Sequence, residues 1–310
     1  MNTIPVVDLS AVRSGNGVYD TAAALDKALR TVGFVQITGH GIDPAVFTAA
    51  YDAMTALMGE SDDVRAALRD PSGHPFYGLV PRELDGRVVY HQFELNAHPS
   101  PDAARAAGIP EEYLSHFRTN LFPDHLEGFR AAMQGCFDAM RNFAPRLLAL
   151  LAVAVGMPPT FFEKYMERES TSFGVGDYPH REWIPADTEI LPWHTDRETL
   201  VNMLHQRGTY EGLEIRTLAG DVVRLPLVED ALAVNVGDLF ERWTGGRWRG
   251  TPHHVVSGER GEWRQSIVTF CAPDVTRVIQ PLDPAGGRID PLAEPFNVFE
   301  LALDLPRPVA

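Results

Sequence analysis

The chain has 310 residues, 45% of them hydrophobic and 22% charged, an ordinary composition for a packed globular protein and not that of a disordered one. Its formal charge of −15 argues against a nucleic-acid surface, although local arginines still allow an anionic small molecule. The two cysteines, Cys136 and Cys271, form neither a disulfide framework nor a C-x-x-C metal site and read as buried thiols of a reducing compartment.

Met1 to Asp8 lacks the basic and apolar segments of a signal peptide. The most apolar run, Leu147 to Met157, is too short to span a bilayer, so a cytoplasmic protein without a membrane partner is expected. Ile4 to Leu9 reads as a short strand. Asp20 to Thr31 follows as a helix, with Ala23, Leu25, Ala28 and Leu29 on one face. Phe34, Val35 and Ile37 predict a strand closed by the glycines at 39 and 41, and His40 between those glycines reads as structural. A helix begins at Asp43-Pro44 and carries Phe47, Tyr51, Met54 and Leu57; a charged one spans Asp62 to Leu68.

Residues 71 to 81 are rich in proline, glycine and aromatics and read as a loop or broken strand. Arg87 to Leu95 looks extended, and residues 97 to 113 look like connecting segments. The longest helical pattern runs from Pro123 to Val155, with Pro145 predicting a kink or a split. One more short helix is expected over Pro159 to Arg168.

From Ser170 the character changes to short strands between turn signals. They are expected at 171–178, 189–194, 200–204, 212–217, 222–225, 231–236, 253–257 and 264–271, a spacing that implies a sandwich or barrel. The expected class is mainly β with flanking helices (α+β). It forms one compact unit over 1–310, with a helix-rich region 1–169 and a β-core region 170–310.

Leu191-Pro192-Trp193-His194-Thr195-Asp196 places an imidazole and a carboxylate two residues apart in an expected strand, where alternate side chains share a face. Together they can grip one metal ion if a third ligand comes from another strand. Two histidines and one carboxylate with open positions suit non-haem Fe(II). Downstream candidates are His205, His253 and His254, of which neighbours 253 and 254 cannot both face the metal. Arg264 and Ser266 share a face of the last long strand, and a guanidinium fork beside a hydroxyl suits a distal carboxylate.

H-x-D, then a histidine 57 residues after Asp196, then R-x-S resembles the iron(II)/2-oxoglutarate-dependent dioxygenases, in their isopenicillin N synthase-like branch. The resemblance extends over nearly the whole chain. Ile4 to Leu9 and Gly33 to Ile42 look like the family's N-terminal signature, and Asp177-Tyr178-Pro179 like the element before its metal strand. Ala231 to Leu239 and Gly246-Arg247-Trp248 look like the approach to its distal histidine.

The resemblance implies a double-stranded β-helix (jelly roll, cupin-like) and iron held by His194, Asp196 and His253. In place of the usual arginine after the third ligand stands His254, a departure also seen in the deacetoxycephalosporin branch. Arg264 and Ser266 would hold the C5 carboxylate of 2-oxoglutarate, with Tyr178 against the same cosubstrate. The implied reaction uses Fe(II), 2-oxoglutarate and O2. It couples decarboxylation to succinate and CO2 with hydroxylation, desaturation or a related oxidation of a small molecule, expected in bacterial secondary or amino-acid metabolism.

Phe76, Tyr77, Arg82, Tyr90, Gln92, Arg181 and the segment near Phe296 are candidates for the substrate pocket. Three alternatives remain open: a 2-oxoglutarate-independent oxidase of the isopenicillin N synthase type, a non-catalytic cupin-like binder and a zinc hydrolase. The oligomeric state is open, with a monomer the first expectation.

Overall fold

The computed structural model describes residues 3–74 and 76–303. Met1, Asn2, Pro75 and 304–310 lie outside the described residues, and with them the two ends of the expected single unit 1–310 and one residue of the expected loop 71–81.

Val6–Asp8 (β1) and Phe34–Thr38 (β2) pair in parallel, joined by a crossover through the helix Val18–Thr31. Ser61 caps the helix Asp62–Ala67, and Asp43 caps the helix Pro44–Met58 by accepting from the Ala45 N–H. Gly78–Leu84 (β3) and Arg87–Asn96 (β4) form a hairpin. Its turn is Asp85-Gly86, both in the left-handed region with φ of 51° and 74°, as tight antiparallel turns demand. The expected loop at 71–81 therefore holds the start of a strand. Pro81 is tolerated there because β3 is the outermost strand of its sheet.

The connecting segment 97–113 contains a short helix, Pro101–Ala106, and the start of a 3-10 turn, Glu111–His116. The long helix is narrower than its apolar pattern, at Phe129–Ala154, and runs unbroken through Pro145. Met133, Phe137, Met140, Leu147 and Leu151 on both sides of that proline are fully buried. Their packing outweighs the proline, which costs about 3 kcal/mol in a helix interior. The helix expected over Pro159 to Arg168 is only the 3-10 turn Glu163–Tyr165.

The second half supplies Ser172–Tyr178 (β5), Glu189–His194 (β6), Val201–Gly208 (β7), Leu213–Arg216 (β8), Val222–Arg224 (β9), Leu232–Val236 (β10), His253–Val256 (β11) and Arg264–Cys271 (β12). Val278–Ile279 (β13) and Phe296–Asn297 (β14) form a separate ribbon. Among the described residues the large sheet has eight strands in the order β1-β2-β10-β7-β12-β5-β4-β3, and a four-stranded sheet has the order β6-β11-β8-β9. Half of the large sheet thus comes from the first hundred residues, flanking strands of the second half.

The alternation of side chains divides the large sheet into two faces. Val35, Ile37, Phe93, Leu95, Phe173, Val175, Met203, Val234 and Ile267 turn outward into a core shared with the long helices. The opposite face turns toward the small sheet, with Phe34, Tyr90, Tyr178, Ala233, Leu213, Ile215 and Val255 in a second core between the sheets. No helix among the described residues is long and apolar enough to cross a membrane.

Candidate metal centre

β6 ends at His194, so Asp196 lies two residues past the strand end and not within it as the sequence suggested. The shared face is produced by a turn instead. The backbone carbonyl of Asp196 accepts from the Asp238 N–H at 2.7 Å, and Thr195 Oγ1 donates to Asp238 Oδ2 at 2.9 Å. His194 and His253 are direct cross-strand neighbours on β6 and β11, and beyond them the register shifts, as a bulge at Pro192-Trp193 requires. Proline fits there because it has no N–H to contribute to the ladder.

These devices bring three ligand atoms, one each from His194, Asp196 and His253, within 4.8 Å of one another. His194 Nδ1 lies 2.8 Å from the Pro192 carbonyl and His253 Nδ1 lies 3.0 Å from the Thr251 carbonyl. A carbonyl only accepts, so each Nδ1 carries its proton and each Nε2 presents a lone pair. Asp196 Oδ2 accepts from Asn202 at 2.6 Å and Asn235 at 2.9 Å, which orients the carboxylate, with Oδ1 3.9 Å from His194 Nε2 and Oδ2 3.6 Å from His253 Nε2. Burial holds the pKa of His253 below that of an ordinary histidine, against the upward pull of Asp196.

The other histidines go elsewhere. His254 projects from the opposite face of β11, stacks on Trp193 at 3.8 Å and hydrogen-bonds Glu189 and Glu214 at 2.9 and 2.8 Å. His205 sits within β7, not at its end, and faces outward. It stacks on Phe47 at 4.1 Å, receives the Tyr51 hydroxyl at 2.9 Å, and burial lowers its pKa to about 4. His40 hydrogen-bonds the Asp230 carbonyl and the Ile42 N–H, a structural role.

Along β12, Arg264 pairs with Tyr178 of β5 and Ser266 with Gly176, so all four positions face the space between the sheets. Arg264 is 1% exposed, its guanidinium carbon stands 4.7 Å from the Tyr178 ring centre, and its Nε donates to Gln206 at 3.3 Å. Its Nη1 is buried without a hydrogen-bond partner among the described residues. A buried cation in that state costs free energy unless an anion completes it. A carboxylate is the fitting group, with Ser266 Oγ on the same face as a second donor. A Cβ at Gly176 would stand 3.0 Å from that Oγ and 2.6 Å from the Tyr178 ring, so only glycine keeps the approach open.

Of the pocket candidates, Tyr90 stacks on Tyr178 at 4.4 Å with its hydroxyl buried and without a partner among the described residues, and Gln92 follows it on the inner face. Tyr77 donates to the His116 carbonyl at 2.8 Å, and Arg181 donates to the Val89 carbonyl at 3.3 Å. Arg82 lies over the Phe76 ring at 5.6 Å. Phe296 belongs to the outer core beneath Arg242 and takes no part in the space between the sheets. Cys136 and Cys271 are buried free thiols, pushed up to about 12 by burial.

Sequence reasoning missed Asn202, Asn235 and Glu94. A signal existed for each: a polar residue at every second position of an otherwise apolar strand marks an inner face. The bidentate hold of Asp26 on Arg247, at 2.9 Å twice, and on the Trp248 indole at 2.9 Å was missed as well. It ties the first long helix to the segment leading to His253.

Comparison with known proteins gives two family matches in separate stretches of the chain. Residues 4–124 match the family model "non-haem dioxygenase in morphine synthesis N-terminal", and residues 172–273 match that of the "2OG-Fe(II) oxygenase superfamily". The validamycin A dioxygenase of Streptomyces hygroscopicus subsp. limoneus is 29% identical, over 92% of this chain and 81% of its own. Gibberellin 20 oxidase 2 of rice is 26% identical, over 90% and 69%. A full-length Neurospora crassa protein, solved in complex with alpha-KG, superposes with a TM-score of 0.79 at 21% identity over 96% of both chains. The rice dioxygenase for auxin oxidation superposes with a TM-score of 0.72 at 21% identity over 96% and 92%. The chain belongs to the 2-oxoglutarate- and Fe(II)-dependent oxygenases and is an oxidoreductase of that class.

Proposed function

We propose that His194, Asp196 and His253 are the three protein ligands of Fe(II), and that Arg264 and Ser266 hold the C5 carboxylate of 2-oxoglutarate. The observation that carries this is the convergence of three ligand atoms within 4.8 Å, with both Nδ1 atoms already committed to carbonyls. A facial set of three protein ligands leaves neighbouring positions open. Bound there, iron supplies the activation of dioxygen that couples loss of CO2 from 2-oxoglutarate to oxidation of a small molecule.

Each residue then has a distinct task. Pro192 and Thr251 fix the tautomers, while Asn202 and Asn235 fix the carboxylate. Arg264 neutralises the far end of the cosubstrate, and the Tyr178 ring holds the guanidinium in place. The Tyr90–Tyr178 stack closes that end of the space with aromatic surface, which strengthens the ion pair by excluding water. The buried, unpartnered Nη1 of Arg264 favours a 2-oxoglutarate-using enzyme over an oxidase without the cosubstrate. We place the reaction in bacterial small-molecule metabolism of the secondary or amino-acid kind, with the whole chain acting as one unit.

Metal analysis of purified wild type and of His194→Ala, Asp196→Ala and His253→Ala tests the ligand set. One iron per wild-type chain and almost none in the three variants is expected. Full iron retention in any one of them removes that residue from the set. Succinate release tests the cosubstrate.

A further inference from the structure

Arg264 is not the only inward-facing charged side chain with an unsatisfied atom. Glu94 of β4 is 1% exposed. Its Oε1 accepts from Gln92 Nε2 at 2.6 Å, and its Oε2 is buried with no hydrogen-bond partner among the described residues. Its neighbour across the sheet is Gly174, where an added Cβ would stand 3.1 Å from Oε2 and 2.7 Å from Gln92 Nε2. Glycine at 174 therefore leaves the room that the Glu94 carboxyl and the Gln92 amide occupy.

Register separates this carboxyl from the cosubstrate anchor. Glu94 pairs with Gly174 and Gly174 with Val268, four residues along β12 from Arg264. That is roughly 13 Å along the strand and about 10 Å across two strand spacings, too far for one five-carbon diacid to touch both. Measured along the strands alone, the step toward the metal is shorter. Phe270, two residues past Val268, pairs with Asn202, which holds Asp196. Along the strand direction Glu94 thus lies at the metal end of the inner face, three strands across from Asn202.

Building on the Fe(II)/2-oxoglutarate reading above, we propose that Glu94 is the substrate anchor and that the substrate is a small molecule bearing a protonated amine, whose nitrogen donates to Oε2. A buried carboxyl with one oxygen unpaired is costly unless a donor completes it, and a cation completes both the bond and the charge. Burial raises the Glu94 pKa to about 8, against the pull of Arg82, the charged group facing it from β3. Near neutral pH the empty site therefore holds a proton, which an entering ammonium displaces to solvent.

Anaerobic protein loaded with Fe(II) and 2-oxoglutarate is titrated calorimetrically with n-hexylamine, n-hexanol and hexanoate, in two buffers of different ionisation enthalpy. The amine is expected to bind about tenfold or more tighter than the alcohol, as a charge-assisted bond provides, with proton release at pH 7. Glu94→Gln, of the same shape, should erase that preference. Equal binding of amine and alcohol, tighter binding of hexanoate, or an unchanged preference in Glu94→Gln overturns the proposal. If the variant does not fold, the wild-type comparison decides alone. A visible absorption change on adding 2-oxoglutarate, without amine preference, overturns only the role of Glu94. Amine preference without that change overturns the cosubstrate reading and leaves Glu94 standing.

Discussion

On its outer face the eight-stranded sheet presents aliphatic and aromatic side chains to helices, and most polar groups there find partners, the Thr269 hydroxyl being an exception among the described residues. Tyr51 meets His205, and Gln265 donates to Thr55 and Asp177. The inner face of the same strands is polar and incomplete. Arg264 Nη1, Tyr90 Oη, Glu94 Oε2 and Asn202 Oδ1 are all buried there without hydrogen-bond partners among the described residues. One set of strands thus carries an outer surface largely satisfied by the protein and an inner surface with charged and polar groups left incomplete among the described residues. Buried polar groups without partners are rare because they are costly, so their concentration on one face is informative.

If that contrast is right, substitutions on the two faces must fail differently. The largest effect on function falls on the ligand set: His253→Ala should lose iron and all succinate release while keeping the circular dichroism of the folded protein. Next comes Arg264→Met. It should raise the KM for 2-oxoglutarate about a hundredfold by removing charge-assisted bonds, with iron content unchanged. Unaltered KM would remove Arg264 from the cosubstrate site. On the outer face, Phe137→Ala deletes a fully buried ring stacked on Phe173 at 5.1 Å. It should cost about 3–5 kcal/mol in denaturant unfolding, with iron per folded chain untouched.

A pH prediction sharpens the outer face further. Burial depresses His205 to about 4, so between pH 6.5 and 4 the unfolded chain binds the proton that the folded one refuses. Stability is therefore full above 6.5 and is lost as the pH falls through that window. His205→Gln should flatten this acid limb in thermal melts at a series of pH values. The smallest effect is expected for His254→Ala, which should keep its iron and lose about 1–3 kcal/mol of stability from the stranded Glu214 contact. Iron loss there would reverse the assignment of the two adjacent histidines.

Much of the site was legible in the chain because strand periodicity carries it. Arg264 and Ser266 share a face as spacing required, and His253 and His254 oppose each other. What was not legible depends on tertiary context. Asp196 reaches the site through a turn held by Asp238, and nothing local announces that contact. Pro145 breaks no helix because packing on both sides outweighs its cost. The Asp85-Gly86 hairpin was a turn signal of the standard kind, passed over because the run before it is rich in proline and glycine. Helices at 123–128 and 159–168 failed for the opposite reason, since apolar spacing alone does not supply a nucleus.

The most direct test of the incomplete inner face is anaerobic spectroscopy of the wild-type protein with Fe(II). Stepwise addition of 2-oxoglutarate should build a visible metal-to-ligand charge-transfer band that saturates at one equivalent per chain and is weakened by Arg264→Met. A protein that binds one iron yet shows no band at any 2-oxoglutarate concentration would contradict the account.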